Sequence, residues 1–462
     1  MKKILLICFF IMTSLTTFSQ SYEEDSVRIR MMSDLILEEY DCYKDLRDLC
    51  KNIGHRISGS PQAEQAVQWS KKVLEDIGCD RVYLQETMVP HWVRGEEDAW
   101  YYVEGQRIKV PITSLGNAAG TGKRGLRAPM IMVNNMDEFQ ALKNEDVKGK
   151  IVFFNYRFNQ KNINTFSSYG PCVYYRWASP VEVVKKGGIG VVIRSVSSAF
   201  DDKPHTGTTH YEDDLVKLPA VAVSNVHADI IEKEFLAKKK VNFEIRTTCE
   251  MLPDVKSHNV IGEMRGSEFP DEIITFGGHL DSWDIGEGAH DDGAGVVTCM
   301  DVMRTFKKLN IKPKRTIRCV LFMNEENGLR GAKTYAAEAV RLKENHILGI
   351  ETDAGGATPY GFGITMSPEQ KRKVRSWAPL FRPYNIYNFD NEGGGADLSP
   401  LKKEFKTPTM GLRPDGHRYF DMHHSANDVF ENVHRRELCM GSIAMSMMVY
   451  LVSEYGLDAD EF

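Results

Sequence analysis

Gly277-Gly278-His279-Leu280-Asp281-Ser282-Trp283-Asp284-Ile285-Gly286-Glu287-Gly288-Ala289-His290-Asp291-Asp292-Gly293-Ala294-Gly295 joins two segments of different periodicity. Before it, Ile273, Ile274 and Phe276 read as a buried strand. After it, Val296, Met300, Met303 and Phe306 recur at helical spacing. A loop between the end of a strand and the start of a helix is where α/β sheets form ligand sites. This one carries an imidazole (His279), a carboxylate two residues on (Asp281) and a carboxylate pair, Asp291 and Asp292. Residues two apart on a strand face the same way. Asp281 is therefore expected to accept the second N–H of His279 and fix its tautomer, as carboxylates behind metal-bound histidines do.

The alternation continues outward. Strands are expected at 273–279, 316–323 and 347–352, with helices at 293–309 and 328–342 and a last amphipathic helix from about 435 to 452. Strands alternating with helices imply parallel βαβ units, hence an α/β fold with a doubly wound, mixed but mainly parallel sheet. Toward the N-terminus the pattern predicts a helix over 24–52, a turn at 54–61, a helix over 63–77 and a strand beginning at Val82. From about 106 to 250 short strand-like pieces recur between turns, and 181–186 reads as a short helix. That stretch is read as an inserted β-rich domain, 106–251, dividing a catalytic domain made of 20–105 and 252–462.

Each βα unit ends in an acid. The 316–323 strand runs into Glu325-Glu326, the 347–352 strand into Asp353, and a loop before the last helix holds His423-His424. Adjacent carboxylates gathered with other acids are unfavourable unless a cation compensates. The charge exceeds what one magnesium or calcium needs, and imidazoles favour zinc. The physical reading is a two-metal site in which one carboxylate bridges, others ligate, and one acts on water.

The order His-x-Asp, Asp-Asp-Gly-x-Gly, Glu-Glu, Asp, His-Ser resembles the di-zinc exopeptidases, a family that includes leucyl aminopeptidases and glutamate carboxypeptidase. The likeness is greatest to its carboxypeptidase Q branch. It rests on residues 278–284, Pro313-Lys314-Arg315-Thr316, Ile193-Arg194-Ser195-Val196, Pro204-His205-Thr206-Gly207 and His423-His424-Ser425, and covers nearly the whole mature chain. The resemblance implies that His279 and Asp353 hold one zinc, that Glu326 and His424 hold the other, and that Asp291 bridges them. It makes Glu325 the general base and Asp281 the support of His279, and it implies a cis peptide at Asp291-Asp292. His423 takes the place of a tyrosine that stabilises the oxyanion in glutamate carboxypeptidase, so it is expected to donate there. Asp397, in a Gly-rich loop whose family version has a hydroxyl where Ala396 stands, and His205 are expected near the substrate. The insert looks like a protease-associated domain, and homodimerisation is expected from the likeness alone.

Composition bounds the rest. A net charge of −6 over 462 residues argues against nucleic acid or an anionic membrane surface as partner. Lys2-Lys3 before the apolar run 4–12 reads as a signal peptide, residues 1–19, and so predicts an exported chain with no membrane span. The eight cysteines of the mature chain are scattered, as buried thiols are, rather than spaced as a zinc or disulfide framework. The expected activity is hydrolysis of short peptides or dipeptides by metal-activated water. An aminopeptidase is the alternative, with a one-zinc glutaminyl cyclase and a non-catalytic receptor-like domain behind it.

Overall fold

A computed structural model describes residues 23–458. The expected signal peptide lies outside them. Two sheets carry the chain. The seven-stranded sheet consists of β1 (Arg81–Val93), β10 (Glu250–Met264), β11 (Phe269–His279), β12 (Arg315–Phe322), β13 (Asn345–Glu351), β14 (Pro359–Thr365) and β15 (Thr409–Pro414). Its order is β1-β10-β12-β11-β13-β15-β14. The four central strands β12, β11, β13 and β15 run parallel, and the flanking strands pair antiparallel.

Helices cover both faces, as a doubly wound sheet requires. Ile317, Cys319 and Leu321 of β12 face one core together with the helices Pro61–Ile77, Ala294–Lys308 and Arg435–Tyr455, while Val320 and Phe322 face the helices Arg330–Leu342 and Ser399–Phe405. Each fully buried Leu, Phe or Met in these layers contributes about 1.5–3 kcal/mol. Among the described residues one helix, Arg435–Tyr455, is long and apolar enough to cross a membrane. It is a core helix here: Leu438, Ile443, Met447 and Leu451 are at most 1% exposed.

The eight-stranded sheet lies between β1 and β10 in sequence. It contains β2 (Glu97–Val103), β3 (Gln106–Lys109), β4 (Ile112–Ser114), β5 (Leu126–Val133), β6 (Ile151–Phe154), β7 (Gly190–Arg194), β8 (Ala220–Val223) and β9 (Asn242–Thr247), ordered β3-β2-β9-β5-β6-β7-β8-β4. The sheet begins at Glu97, earlier than the expected boundary at 106. The segment is also less purely β than expected. The short helix expected at 181–186 is the end of a 20-residue helix, Phe166–Lys185. Pro171 and Pro180 lie inside that helix and disguise it, because proline usually breaks the pattern. One face of the sheet shares a core with Trp283 and Phe420, so this segment is packed onto the part of the chain that carries the seven-stranded sheet.

The predicted helix over 24–52 is interrupted. A helix at 23–39 stops at Tyr40, which has φ 42, and a new helix starts at Asp41. All eight cysteines among the described residues are free, and seven are buried.

Candidate metal centre and substrate cleft

The parallel strands end at one edge and deliver the acids there. β11 ends at His279, paired with Phe322 at the end of β12. The turn after β12 presents Glu325 and Glu326, and Asp353 follows β13. The Asp291–Asp292 peptide is cis, and the two carboxylates part company there. Asp292 accepts the backbone N–H groups of His279 at 3.0 Å and Gly295 at 3.1 Å. A Cβ at Gly278 would lie 2.1 Å from the Asp292 carboxylate, which is why glycine stands there. Asp291 instead faces the imidazoles. Its Oδ1 is 3.1 Å from His279 Nε2 and its Oδ2 is 3.1 Å from His424 Nε2. His424 Nε2 is also 3.1 Å from Glu326 Oε2, and His279 Nε2 is 3.6 Å from Asp353 Oδ1. Asp291 thus stands between a His279–Asp353 group and a His424–Glu326 group.

The electrostatics favour a cation among these groups. Burial, then the neighbouring Asp291 charge, pushes Glu326 up to about 7. Burial, with Asp353, Glu326 and Asp281 close by, drives Glu325 well above the usual carboxylate range. Burial disfavours charge on His424, but Glu326 and Asp291 outweigh it and hold the imidazolium up to about 10. Glu326 Oε1 and, apart from the His424 contact, Asp291 Oδ2 are buried without a hydrogen bond. Three groups of side chains have ligand atoms within 4.8 Å of one another: His279-Asp291-Glu326, Asp291-His423-His424 and His279-Asp292-Asp353. Imidazole and carboxylate together, buried and with an orphaned oxygen, fit a zinc-type ion.

Two expectations about supporting residues are corrected. The Asp281 carboxylate does not take the second N–H of His279: Nδ1 is 2.9 Å from the Asp281 backbone carbonyl and 3.9 Å from Oδ1. The carboxylate instead accepts the backbone N–H groups of Glu325 at 3.0 Å and Glu326 at 3.3 Å. β11 ends at His279, so strand alternation no longer aims Asp281 at it. The substrate cleft, about 700 Å³, is lined by Glu325, Glu326, Asp353, His423 and His424 but by neither Asp397 nor His205. Asp397 is 1% exposed behind the site, beside Glu351. His205 Nδ1 donates to the His423 backbone carbonyl.

His423 stacks on His424 with ring centroids 3.5 Å apart. Burial, then the His424 charge, keeps it well below the usual imidazole range, hence neutral.

Three contributors were not singled out from sequence. Asp428 accepts the backbone N–H of His290 at 2.6 Å and of Asp291 at 3.1 Å, fixing the turn that aims Asp291. Glu351, the last residue of β13, accepts Leu398 N–H at 2.9 Å and ties down the Asp397 loop. Arg176, on the inserted helix Phe166–Lys185, lines the cleft and lies 3.2 Å from His424 Nδ1.

A model of peptidase family M28 matches residues 259–448. Carboxypeptidase Q from Homo sapiens is 32% identical over 413 residues, covering 89% of this chain and 85% of its own. A peptidase M28 precursor from Shewanella amazonensis superposes with a TM-score of 0.89 at 30% identity, over 93% of this chain and 97% of that one. A zinc aminopeptidase from Bacillus subtilis shares the fold, with a TM-score of 0.64 at 18% identity over 89% of this chain and 94% of that one. The match to carboxypeptidase Q extends over 89% of the chain, well beyond residues 259–448, and the chain belongs to peptidase family M28.

Proposed function

We propose that this peptidase is an exported, carboxypeptidase Q-like di-zinc exopeptidase that hydrolyses short peptides and dipeptides with a free C-terminal carboxylate. His279 and Asp353 would hold one zinc, Glu326 and His424 the other, with Asp291 between them. Zinc, when bound, supplies a Lewis acid that polarises the scissile carbonyl and lowers the pKa of water. Glu325, half-buried at the cleft wall, takes the proton of the attacking water and passes it to the leaving amine. Neutral His423 donates a hydrogen bond to the developing oxyanion. A homodimer belongs to the same reading.

Arg176 carries the choice of substrate end. It is 5% exposed, lines the cleft, and forms no ion pair with a carboxylate among the described residues. Its Nη1 reaches the Thr206 carbonyl at 3.4 Å, its Nη2 reaches the Tyr169 hydroxyl at 3.1 Å, and its Nε is buried without a partner. A buried guanidinium without an anion is costly, and its planar fork matches a carboxylate. The terminal carboxylate of a substrate supplies that anion.

An aminopeptidase is the second reading, because Glu325 and Asp353 at the same cleft can hold an α-ammonium. The deciding experiment is hydrolysis of free, N-blocked and C-amidated dipeptides by the zinc-loaded wild type and Arg176→Ala, with metal content measured. Cleavage only with a free carboxylate, and a rise in KM in Arg176→Ala at full zinc content, supports the proposal. Cleavage of amidated but not N-blocked peptides makes the enzyme an aminopeptidase.

A further inference from the structure

A second cavity, about 830 Å³, adjoins the cleft. Pockets for small organic ligands span about 300–1,000 Å³, so this one exceeds the needs of a single side chain. The two spaces share Phe166, and the second begins at Ala354, the residue after Asp353. Phe166 is held at this junction by stacking on Tyr419, with centroids 5.5 Å apart and planes at 15°.

The lining of the cavity includes two aromatic rings and a guanidinium. Tyr360 and Tyr387 line it with ring centroids 6.3 Å apart, and Tyr387 is 67% exposed. Arg413 also lines it and donates from Nη2 to the Glu392 carbonyl at 3.1 Å. A guanidinium has five donors, so most of its capacity remains for main-chain carbonyls.

Direction follows from the two ends. Arg176 stands beside His424, in the His424–Glu326 group, whereas the second cavity is lined by Ala354, the chain neighbour of Asp353 in the other group. A substrate with its C-terminal carboxylate on Arg176 runs its N-terminal part past Asp353. We infer that the second cavity receives the residues N-terminal to the scissile bond, with an aromatic residue on Tyr360 and Tyr387. The enzyme then removes a C-terminal residue from peptides longer than a dipeptide. This rests on the C-terminal reading above.

The test compares kcat/KM for release of leucine from Ala-Leu and from Gly-Phe-Ala-Leu, using the zinc-loaded enzyme. The tetrapeptide is expected to be the better substrate. The tetrapeptide-to-dipeptide ratio should fall about tenfold, mainly through KM, in Tyr387→Ala and in Thr358→Trp, which plugs the cavity from its wall. A wild-type ratio below one, or a ratio that neither substitution lowers, overturns the inference; the C-terminal reading then still stands if the N-acetylated forms of both peptides, which an aminopeptidase cannot cleave, release leucine. Failure to release leucine from either peptide overturns both.

Discussion

The imidazole of His205 donates from Nδ1 to the carbonyl oxygen of His423 at 2.6 Å. A residue of the insert therefore sets the backbone of the histidine pair. Burial holds His205 down to about 4, so it stays neutral and the bond persists across the working pH range. Partners of this kind typically change affinity or activity about 10–100-fold. His205→Ala is expected to lower kcat/KM by that amount, and His205→Asn, which keeps a donor, by less. Steady-state kinetics from pH 5 to 8 checks this: the loss should not vary with pH.

Glu325 and Glu326 are adjacent but serve different ends. Glu325→Gln should reduce kcat by about 10²–10⁴ with zinc content unchanged. Glu326→Gln should lose metal as well as activity. Atomic emission on the same samples used for kinetics separates the two.

Loading the site with metal should release protons, because its ligands must be deprotonated. His424, held up to about 10, is protonated at pH 7.5 in the metal-free protein, and Glu326, at about 7, is partly so. As both values are raised, lowering the pH adds protons that zinc must displace, so affinity weakens from pH 8 to 6. Titration calorimetry in buffers of different ionisation heat should count at least one proton released at pH 7.5. The count should fall in His424→Ala.

Arg94 fastens the loop after β11 to the start of the insert. Its Nη2 is 2.6 Å from Asp284 Oδ1, and its Nη1 reaches Thr113 Oγ1 and the Ser114 carbonyl, each at 2.7 Å. Breaking a buried pair from one side leaves an unpaired charge and costs about 3–5 kcal/mol. Arg94→Ala should lower the urea midpoint accordingly. The double substitution Arg94→Met with Asp284→Leu should recover part of the loss.

What was legible in the sequence was what each strand encodes locally. The acids after β11, β12 and β13 announce themselves because every one follows its own apolar run. Strand β10 was missed because its first half is polar, with Asp254 and Lys256 exposed, and it is held by pairing with β1 far away in sequence. Arg176 was missed for a related reason: its helix runs through Pro171 and Pro180, and nothing near it in sequence reveals that it reaches His424. Asp281 was seen but given the wrong bond, since the rule of two fails once a strand has ended. Glu351 reads as strand body until the loop it anchors is folded against it.

The helix Arg435–Tyr455 closes the core under the sheet, and His423 and His424 come just before it. Chain synthesis thus reaches the last pair of imidazoles and the last structural wall almost together. Up to that point the interior lacks a wall and the proposed centre lacks one ligand, His424, the other four lying earlier in the chain. The segment that seals the interior and the segment that supplies the imidazole pair are therefore neighbours in the chain, and a disturbance of one reaches the other directly.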